Sequence, residues 1–192
     1  MLRHGIELNL LLVRPPVILP APVTLSTDEI NFLLDKTPLT GIQSSYPCRD
    51  KAILELLYAT GIRCSEVINI RIAHVDMKEQ SILIYGRRKK TRTVFFSKKA
   101  KEQLEYYLEH ERKKAANNLE FLFLNYRDQP LTSRSIQRIC NLFGEILPTK
   151  KVITPHILRH SFAAHLLDQG AEPKTVQQLL GFATNTSIEK YL

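Results

Sequence analysis

Cysteine is scarce in this chain of 192 residues and follows no recurrent spacing. The three cysteines are Cys48, Cys64 and Cys140. An odd number of widely separated cysteines predicts neither a disulfide framework nor a zinc site. Free thiols of this kind fit a reducing, cytoplasmic setting.

Long apolar runs are missing as well. The apolar run at residues 10–13 is far shorter than the roughly 20 residues that a membrane-spanning helix needs. Glu7, Arg14 and two prolines flank it, which is unlike a signal peptide. The sequence also contains no internal repeat, P-loop or cluster of metal ligands. We therefore expect a soluble intracellular protein.

Acidic residues are absent from one segment, residues 81–101, which contains eight lysines and arginines. The other 19 basic residues balance the 19 acidic residues, so this segment carries the whole net charge of +8. Concentrated positive charge favours a polyanion, most simply nucleic acid. A solvated basic hairpin is the alternative interpretation.

The order of predicted elements indicates a mainly helical protein with one small antiparallel sheet. Residues 1–22 contain Pro15, Pro16, Pro20 and Pro22 and are predicted to be a linker or the remnant of a missing N-terminal domain. Residues 23–192 form the predicted domain. Its expected elements are a helix capped by Ser26 or Thr27, a loop at 38–49, a buried helix from Asp50 to Gly61, a second helix after Arg63, a hairpin at 81–97 around the basic turn 87–90, a short apolar strand or turn at 121–124, and helices near 98–114, 132–147, 154–170, 173–180 and the C-terminus.

The helix predicted from "TPHILRHSFAAHLL" places polar side chains among apolar ones. Thr154 can cap it, and helical periodicity puts His156, Arg159 and His160 on one face. A buried guanidinium without a partner is costly, so this stripe should face a cleft or an anion. Arginine is a natural partner of phosphate and histidine can move a proton. A stripe that faces solvent is the alternative.

A second segment, "ATGIRCSEV", displays Arg63 at the start of a helix just after Gly61. Glu66, three residues later, can reach back and hold it. An arginine beside free backbone N–H groups suits an anion, although a surface arginine with a capping glutamate explains the pattern equally well. Tyr191 could be a nucleophile, or it could serve packing alone.

Four segments together resemble the catalytic domain of the tyrosine recombinases, which include phage integrases and, nearest to this chain, the Xer-type recombinases. They are "ATGIRCSE", "GRRKKTRTV", "TPHILRHSFAAHLLDQG" and "VQQLLGFATNTSIEKY". The resemblance covers the chain from about Val23 to Tyr191. It implies an α+β DNA breaking-rejoining fold and double-stranded DNA as the partner.

The resemblance also implies a mechanism. Arg63 and Arg159 would bind the scissile phosphate, Glu66 would orient Arg63, and Tyr191 would attack phosphorus to form a 3′-phosphotyrosyl link. His156 would donate a hydrogen bond or transfer a proton. His160 would support the site, the DNA backbone would contact Arg88, Lys89, Lys90 and Arg92, and neither metal nor cofactor would be needed.

The sequence departs from the family pattern at several points. Arg87 occupies the position of the family's turn lysine, which is the general acid, and arginine is a poor acid. Lys89 or Lys90 could substitute only if the turn bends differently. Phe182 replaces a ring that donates a hydrogen bond. The N-terminal clamp domain and the tail beyond Tyr191 are missing, so we expect a monomer without DNA, although family members form a tetrameric synapse with a homologous protomer.

Our leading hypothesis is a cytoplasmic, nucleoid-associated recombinase. Three alternatives remain open. The first is a DNA-binding remnant or regulator of the same fold with weak or no strand exchange. The second is a type IB topoisomerase, against which the Xer-like second half argues. The third is an unrelated basic helical DNA-binding protein.

Overall fold

The computed structural model describes residues 22–86, 91–112 and 120–181. In chain order the elements are α1 (Thr27–Asn31), a π-helical turn (Phe32–Lys36), a 3₁₀ turn (Leu39–Gly41), α2 (Pro47–Thr60), α3 (Cys64–Val67), a 3₁₀ turn (Ile72–His74), β1 (Val75–Asp76), β2 (Ser81–Tyr85), β3 (Thr91–Phe95), α4 (Lys98–His110), α5 (Ser133–Ile146), α6 (Pro155–Asp168) and α7 (Pro173–Leu180). The described chain is mainly helical with a three-stranded antiparallel sheet, which confirms the predicted class.

Helix α2 is the central element and packs against α4, α5 and α6. It begins at Pro47, so the prediction of a start at Asp50 after a loop at 38–49 was wrong. Tyr46 gives no side-chain cap. Instead, the Glu111 carboxylate at the end of α4 accepts hydrogen bonds from the backbone N–H groups of Cys48 and Arg49, at 2.7 and 2.8 Å. This long-range cap satisfies two of the donors that a helix start leaves open.

Charged side chains are buried in α2 next to its apolar ones. Lys51 donates a hydrogen bond from Nζ to the Thr37 carbonyl at 2.7 Å. Burial, and then the negative charge of Asp35, raise the pKa of Glu55 to about 7, although the charges of Lys51 and Lys99 oppose this shift.

Because its pKa is higher in the folded chain, Glu55 binds its proton more tightly there than in the unfolded chain. Its contribution to stability is therefore fully present below pH 4.5, the ordinary value, and is lost as the pH rises through about 7.

The sheet has the order β1-β2-β3 with both pairs antiparallel. The register pairs Ile82 with Val94 and Leu83 with Thr93. Ile82, Ile84 and Val94 face the core, as the alternation in the sequence predicts. The predicted hairpin is thus confirmed in both strands. Strand β1 was not predicted, because two residues are too few to show a period.

Side-chain caps account for most of the confirmed helix starts. Ser26 forms a capping box with Glu29 at α1. Thr132 caps α5 and Thr154 caps α6, as the sequence predicts. The predicted strand or turn at residues 121–124 forms only isolated bridges, at Phe121 and Leu124.

Several predicted features lie outside the described residues. They are the basic turn with Arg87, Arg88, Lys89 and Lys90, the segment with Phe182 and Tyr191, and residues 1–21 of the predicted linker. Within the described ranges, no helix is long and apolar enough to cross a membrane. The same ranges contain no group of three His, Cys, Asp or Glu side chains placed to hold a metal ion.

Candidate functional site

The site starts at the junction of α2 and α3. Gly61 ends α2 in the left-handed conformation, with φ of 59°, which favours glycine. A Cβ at this position would lie 2.5 Å from a Leu180 side-chain atom and 2.6 Å from one of Phe162. The absence of a side chain therefore lets α6 and α7 pack directly against the turn that leads to Arg63.

Arg159 lies in the middle of α6 and is only 4% exposed. Its guanidinium donates hydrogen bonds to the Gly61 carbonyl and, at 2.5 Å, to the Leu180 carbonyl. Burial and the charges of Arg63 and Arg92 lower the pKa of Arg159 to about 9, against the opposing charge of Glu66. The side chain therefore stays charged at neutral pH and donates to two backbone carbonyls in the interior. That it also faces a cleft or an anion stays a prediction.

Arg63 lies at the N-cap position of α3 with an extended backbone. Glu66 reaches back to it as the sequence predicts: one carboxylate oxygen accepts from the Arg63 backbone N–H at 2.8 Å and the other from Arg63 Nη1 at 3.2 Å. Arg63 Nη2 donates to the Gly181 carbonyl at 2.9 Å. The side chain of Arg63 remains 30% exposed, so part of the guanidinium faces solvent.

Arg92, on β3, has surroundings that the sequence did not predict. Its Nη1 and Nη2 atoms donate to the two carboxylate oxygens of Glu66, at 2.7 and 2.9 Å. Its side chain is 17% exposed. The sequence analysis grouped Arg92 with Arg88, Lys89 and Lys90, the DNA contacts expected at the hairpin tip, but the structure places its guanidinium against Glu66. A DNA contact by Arg92 stays a prediction.

Three arginines from three elements meet at the carboxyl end of α7. Arg92 Nε donates to the Leu179 carbonyl at 3.2 Å, Arg159 donates to Leu180, and Arg63 donates to Gly181. The last carbonyls of a helix carry partial negative charge and need donors. Arg63, Arg159 and Arg92 therefore form one cluster, which we call the arginine site, with Glu66 as its carboxylate. Its net positive charge suits an anion.

The two histidines of α6 lie one turn apart, with ring centroids separated by 6.5 Å. His156, at the second residue of the helix, is exposed, and His160 is partly buried. Both lie on the face of α6 that carries Arg159. His156 is thus open to solvent, and the roles of His156 beside a phosphate and of His160 in supporting the site stay predictions.

An exposed polar face on α5 was missed by the sequence analysis. Arg134, Arg138 and Asn141 are exposed along it, and Gln137 Nε2 donates to Asn141 Oδ1 at 3.2 Å. The start of α5 lies beside α3, where Cys64 Sγ contacts the Ser133 carbonyl at 3.7 Å. The spacing of Arg134 and Arg138 opposite the apolar face was the signal in the sequence.

Comparison with known proteins decides the family. The sequence model of the phage integrase family matches residues 24–192. The chain belongs to the phage integrase family. The tyrosine recombinase XerC of Anoxybacillus flavithermus is 44% identical to it over 147 residues, which are 74% of this chain and 49% of that protein. XerC of Staphylococcus epidermidis is 40% identical over 143 residues, 74% of this chain and 48% of that protein.

Solved structures of the family show the same fold. A crystal structure of XerA recombinase superimposes with a TM-score of 0.77 at 31% identity, covering 93% of this chain and 63% of that one. The XerH site-specific recombinase bound to its difH substrate gives a TM-score of 0.71 at 26% identity, covering 90% and 51%. The predicted family and fold are therefore confirmed. This integrase-family chain spans about half the length of the curated relatives that it matches.

Proposed function

We propose that this phage integrase family chain is the catalytic domain of a site-specific DNA recombinase that cuts and rejoins double-stranded DNA. The observation that carries the proposal is the meeting of Arg63 and Arg159, far apart in sequence, on the carbonyls of neighbouring residues at the end of α7. Two guanidiniums held side by side match the non-bridging oxygens of a phosphodiester and stabilise the charge that develops during its cleavage.

The proposed reaction exchanges one phosphate ester bond for another. The hydroxyl oxygen of Tyr191 attacks phosphorus and loses its proton, for which His156 is the candidate acceptor. The bond from phosphorus to the 5′-oxygen breaks, and that oxygen leaves as a hydroxyl after it gains a proton. The product is a 3′-phosphotyrosyl link, which the 5′-hydroxyl of another strand then attacks. Arg87 stands where the family has the lysine that protonates the leaving oxygen.

The proposed DNA surface combines α5 with the basic hairpin. The exposed arginines Arg134 and Arg138 lie on the helix that starts beside α3, and Arg88, Lys89 and Lys90 supply the charge at the hairpin tip. Lysine and arginine neutralise phosphates, whereas arginine, asparagine and glutamine also contact base edges. Under this proposal, the hairpin tip contributes affinity and α5 contributes sequence preference.

The test is covalent capture on a pool of nicked duplexes with randomised sequence around a 5′-bridging phosphorothiolate. Because sulfur leaves without a proton, we expect the adduct on this pool to form roughly 10²- to 10⁴-fold faster than on ordinary phosphate, the range typical of one general acid. A denaturing gel measures both rates.

The matched variants are Tyr191→Phe, which should give no adduct on either pool, and Tyr106→Phe, an exposed tyrosine of α4, which should behave as wild type. Adduct formed by the Tyr191→Phe variant would refute the assignment of Tyr191 as the nucleophile. Absence of adduct from wild type on both pools would favour the DNA-binding remnant instead.

A further inference from the structure

Arg92 belongs to the arginine site, yet its contacts differ from those of Arg63 and Arg159. It donates from both terminal nitrogens to Glu66, at 2.7 and 2.9 Å, in the bidentate geometry that arginine forms best. Arg63 reaches the same carboxylate with a single terminal nitrogen at 3.2 Å. The guanidinium partner of Glu66 is therefore mainly Arg92, whereas Arg63 donates to one carboxylate oxygen from Nη1 and to the other from its backbone N–H.

This division of hydrogen bonds determines where Arg63 can point. Glu66 is 5% exposed, and a buried carboxylate needs partners because it has lost its hydration. With Arg92 present, Arg63 can keep Nη2 on Gly181 and part of its guanidinium in solvent. Without Arg92, the carboxylate would draw the Arg63 guanidinium inward to replace the lost donors, and Arg63 would turn away from the exposed side.

Arg92 also connects the sheet to the end of α7. Its Nε donates to the Leu179 carbonyl at 3.2 Å, and its Cδ, Nε and Cζ atoms lie 3.5 Å from where a Cβ on Gly181 would stand. The same helix end accepts hydrogen bonds from Arg63 and Arg159. Arg92 therefore holds both the carboxylate and the helix end whose next two carbonyls accept from the other two arginines.

We propose that Arg92 is a positioning residue, which acts through Glu66 and the end of α7 to hold Arg63. Under this proposal it makes no phosphate contact of its own, which replaces the DNA contact predicted from the sequence. Its effect on catalysis rests on the proposed recombinase function. Its effect on Glu66 does not. Burial by itself raises the pKa of Glu66, but the hydrogen bonds and charges of Arg92 and Arg63 outweigh it and hold that pKa below its usual value.

The first experiment compares Arg92→Gln and Arg92→Lys with the control variant Arg71→Gln. In the wild type, Arg71 pairs with Glu120 at an exposed site. Binding to a random-sequence duplex is measured against salt concentration. A lost phosphate contact reduces the slope of log K against log salt by about 0.9. Because Arg92 acts through Arg63, Arg92→Gln should leave the slope unchanged when it is added to Arg63→Gln. A further reduction by that amount for Arg92→Gln, but not for Arg71→Gln, on the Arg63→Gln background would overturn the proposal.

The second experiment measures adduct formation on the phosphorothiolate pool. Arg92→Gln should slow it at least about tenfold, and Arg92→Lys should restore little, because lysine has no planar fork. Since Arg92 acts through Glu66, adding Arg92→Gln to Glu66→Gln should cause little further loss. Losses that multiply would contradict the proposal.

A third measurement keeps the two proposals distinguishable. Carbon NMR titration reports the pKa of Glu66 without DNA or activity. In Arg92→Gln and Arg92→Lys this pKa should rise, more so in the glutamine variant, while Arg71→Gln leaves it unchanged. A Glu66 pKa that does not move in either Arg92 variant overturns the positioning role, even if the wild type forms adduct. Wild-type protein without adduct, but with the expected titration, overturns the recombinase function alone.

Discussion

Gly61→Ala is the substitution whose effect the structure specifies most closely. An alanine at φ of 59° costs about 1–2 kcal/mol of backbone strain. Its Cβ would also stand 2.5–2.6 Å from atoms of Leu180 and Phe162, and overpacking of this kind costs about 1–3 kcal/mol more. We expect Gly61→Ala to lower the free energy of unfolding by about 2–5 kcal/mol.

Gly170→Ala is the matched control. Gly170 has φ of 85°, but a Cβ there would meet nothing within 4 Å, so only backbone strain of about 1–2 kcal/mol is expected. Alanine also lowers the conformational entropy of the unfolded chain, which stabilises both variants by about 0.4–1 kcal/mol. Each predicted loss is smaller by that amount, and the effect cancels between the two variants. The difference of about 1–3 kcal/mol isolates the packing of α6 and α7 on Gly61.

Urea unfolding followed by circular dichroism measures both values from the midpoint and slope. Because Arg159 donates to the Gly61 carbonyl, adduct formation should fall in Gly61→Ala at temperatures where the protein is folded, and stay at the wild-type rate in Gly170→Ala. Equal destabilisation of the two variants would refute the close packing inferred at Gly61.

Three further predictions concern the core and the DNA surface. Glu111→Gln removes one of the two acceptors at the start of α2 and should lower the free energy of unfolding in urea by about 1–2 kcal/mol. The control is Glu109→Gln, at an exposed position of α4, which should stay within about 0.5 kcal/mol of wild type. Equal losses in the two variants would contradict the capping role. The free energy of unfolding of the wild type should fall by up to about 3 kcal/mol as Glu55 ionises from about pH 5 to pH 8. Thermal unfolding of Glu55→Gln over the same pH range should lack that fall. A pH dependence retained in the variant would exclude Glu55 as its source. Neutralising Lys89 and Lys90 together should reduce the salt slope of duplex binding, measured by fluorescence anisotropy, by about one to two units, and an unchanged slope would remove the hairpin tip from the interface.

Features that depend on near neighbours were predictable from the sequence. The caps at Ser26, Thr132 and Thr154 and the alternation in β2 and β3 occur as expected. The contact between Arg63 and Glu66 was also expected, because side chains three positions apart at a helix start lie within one turn and can reach each other. Local hydrogen bonds and side-chain periodicity depend only on residues that are close in the sequence, so the sequence is enough to predict them.

Features that join distant segments depended on tertiary structure. Helix α2 starts at Pro47 and not at the predicted Asp50, because a carboxylate from the end of α4 caps it there. In the sequence, Arg92 is one more positive charge in a basic segment, whereas the fold places its guanidinium against Glu66. The meeting of three arginines at the end of α7 follows from the packing of β3, α3 and α6 around one helix end. The residue types of the arginine site were therefore readable from the sequence, whereas their partners were not, because a side chain's partner across the fold depends on how the whole core closes.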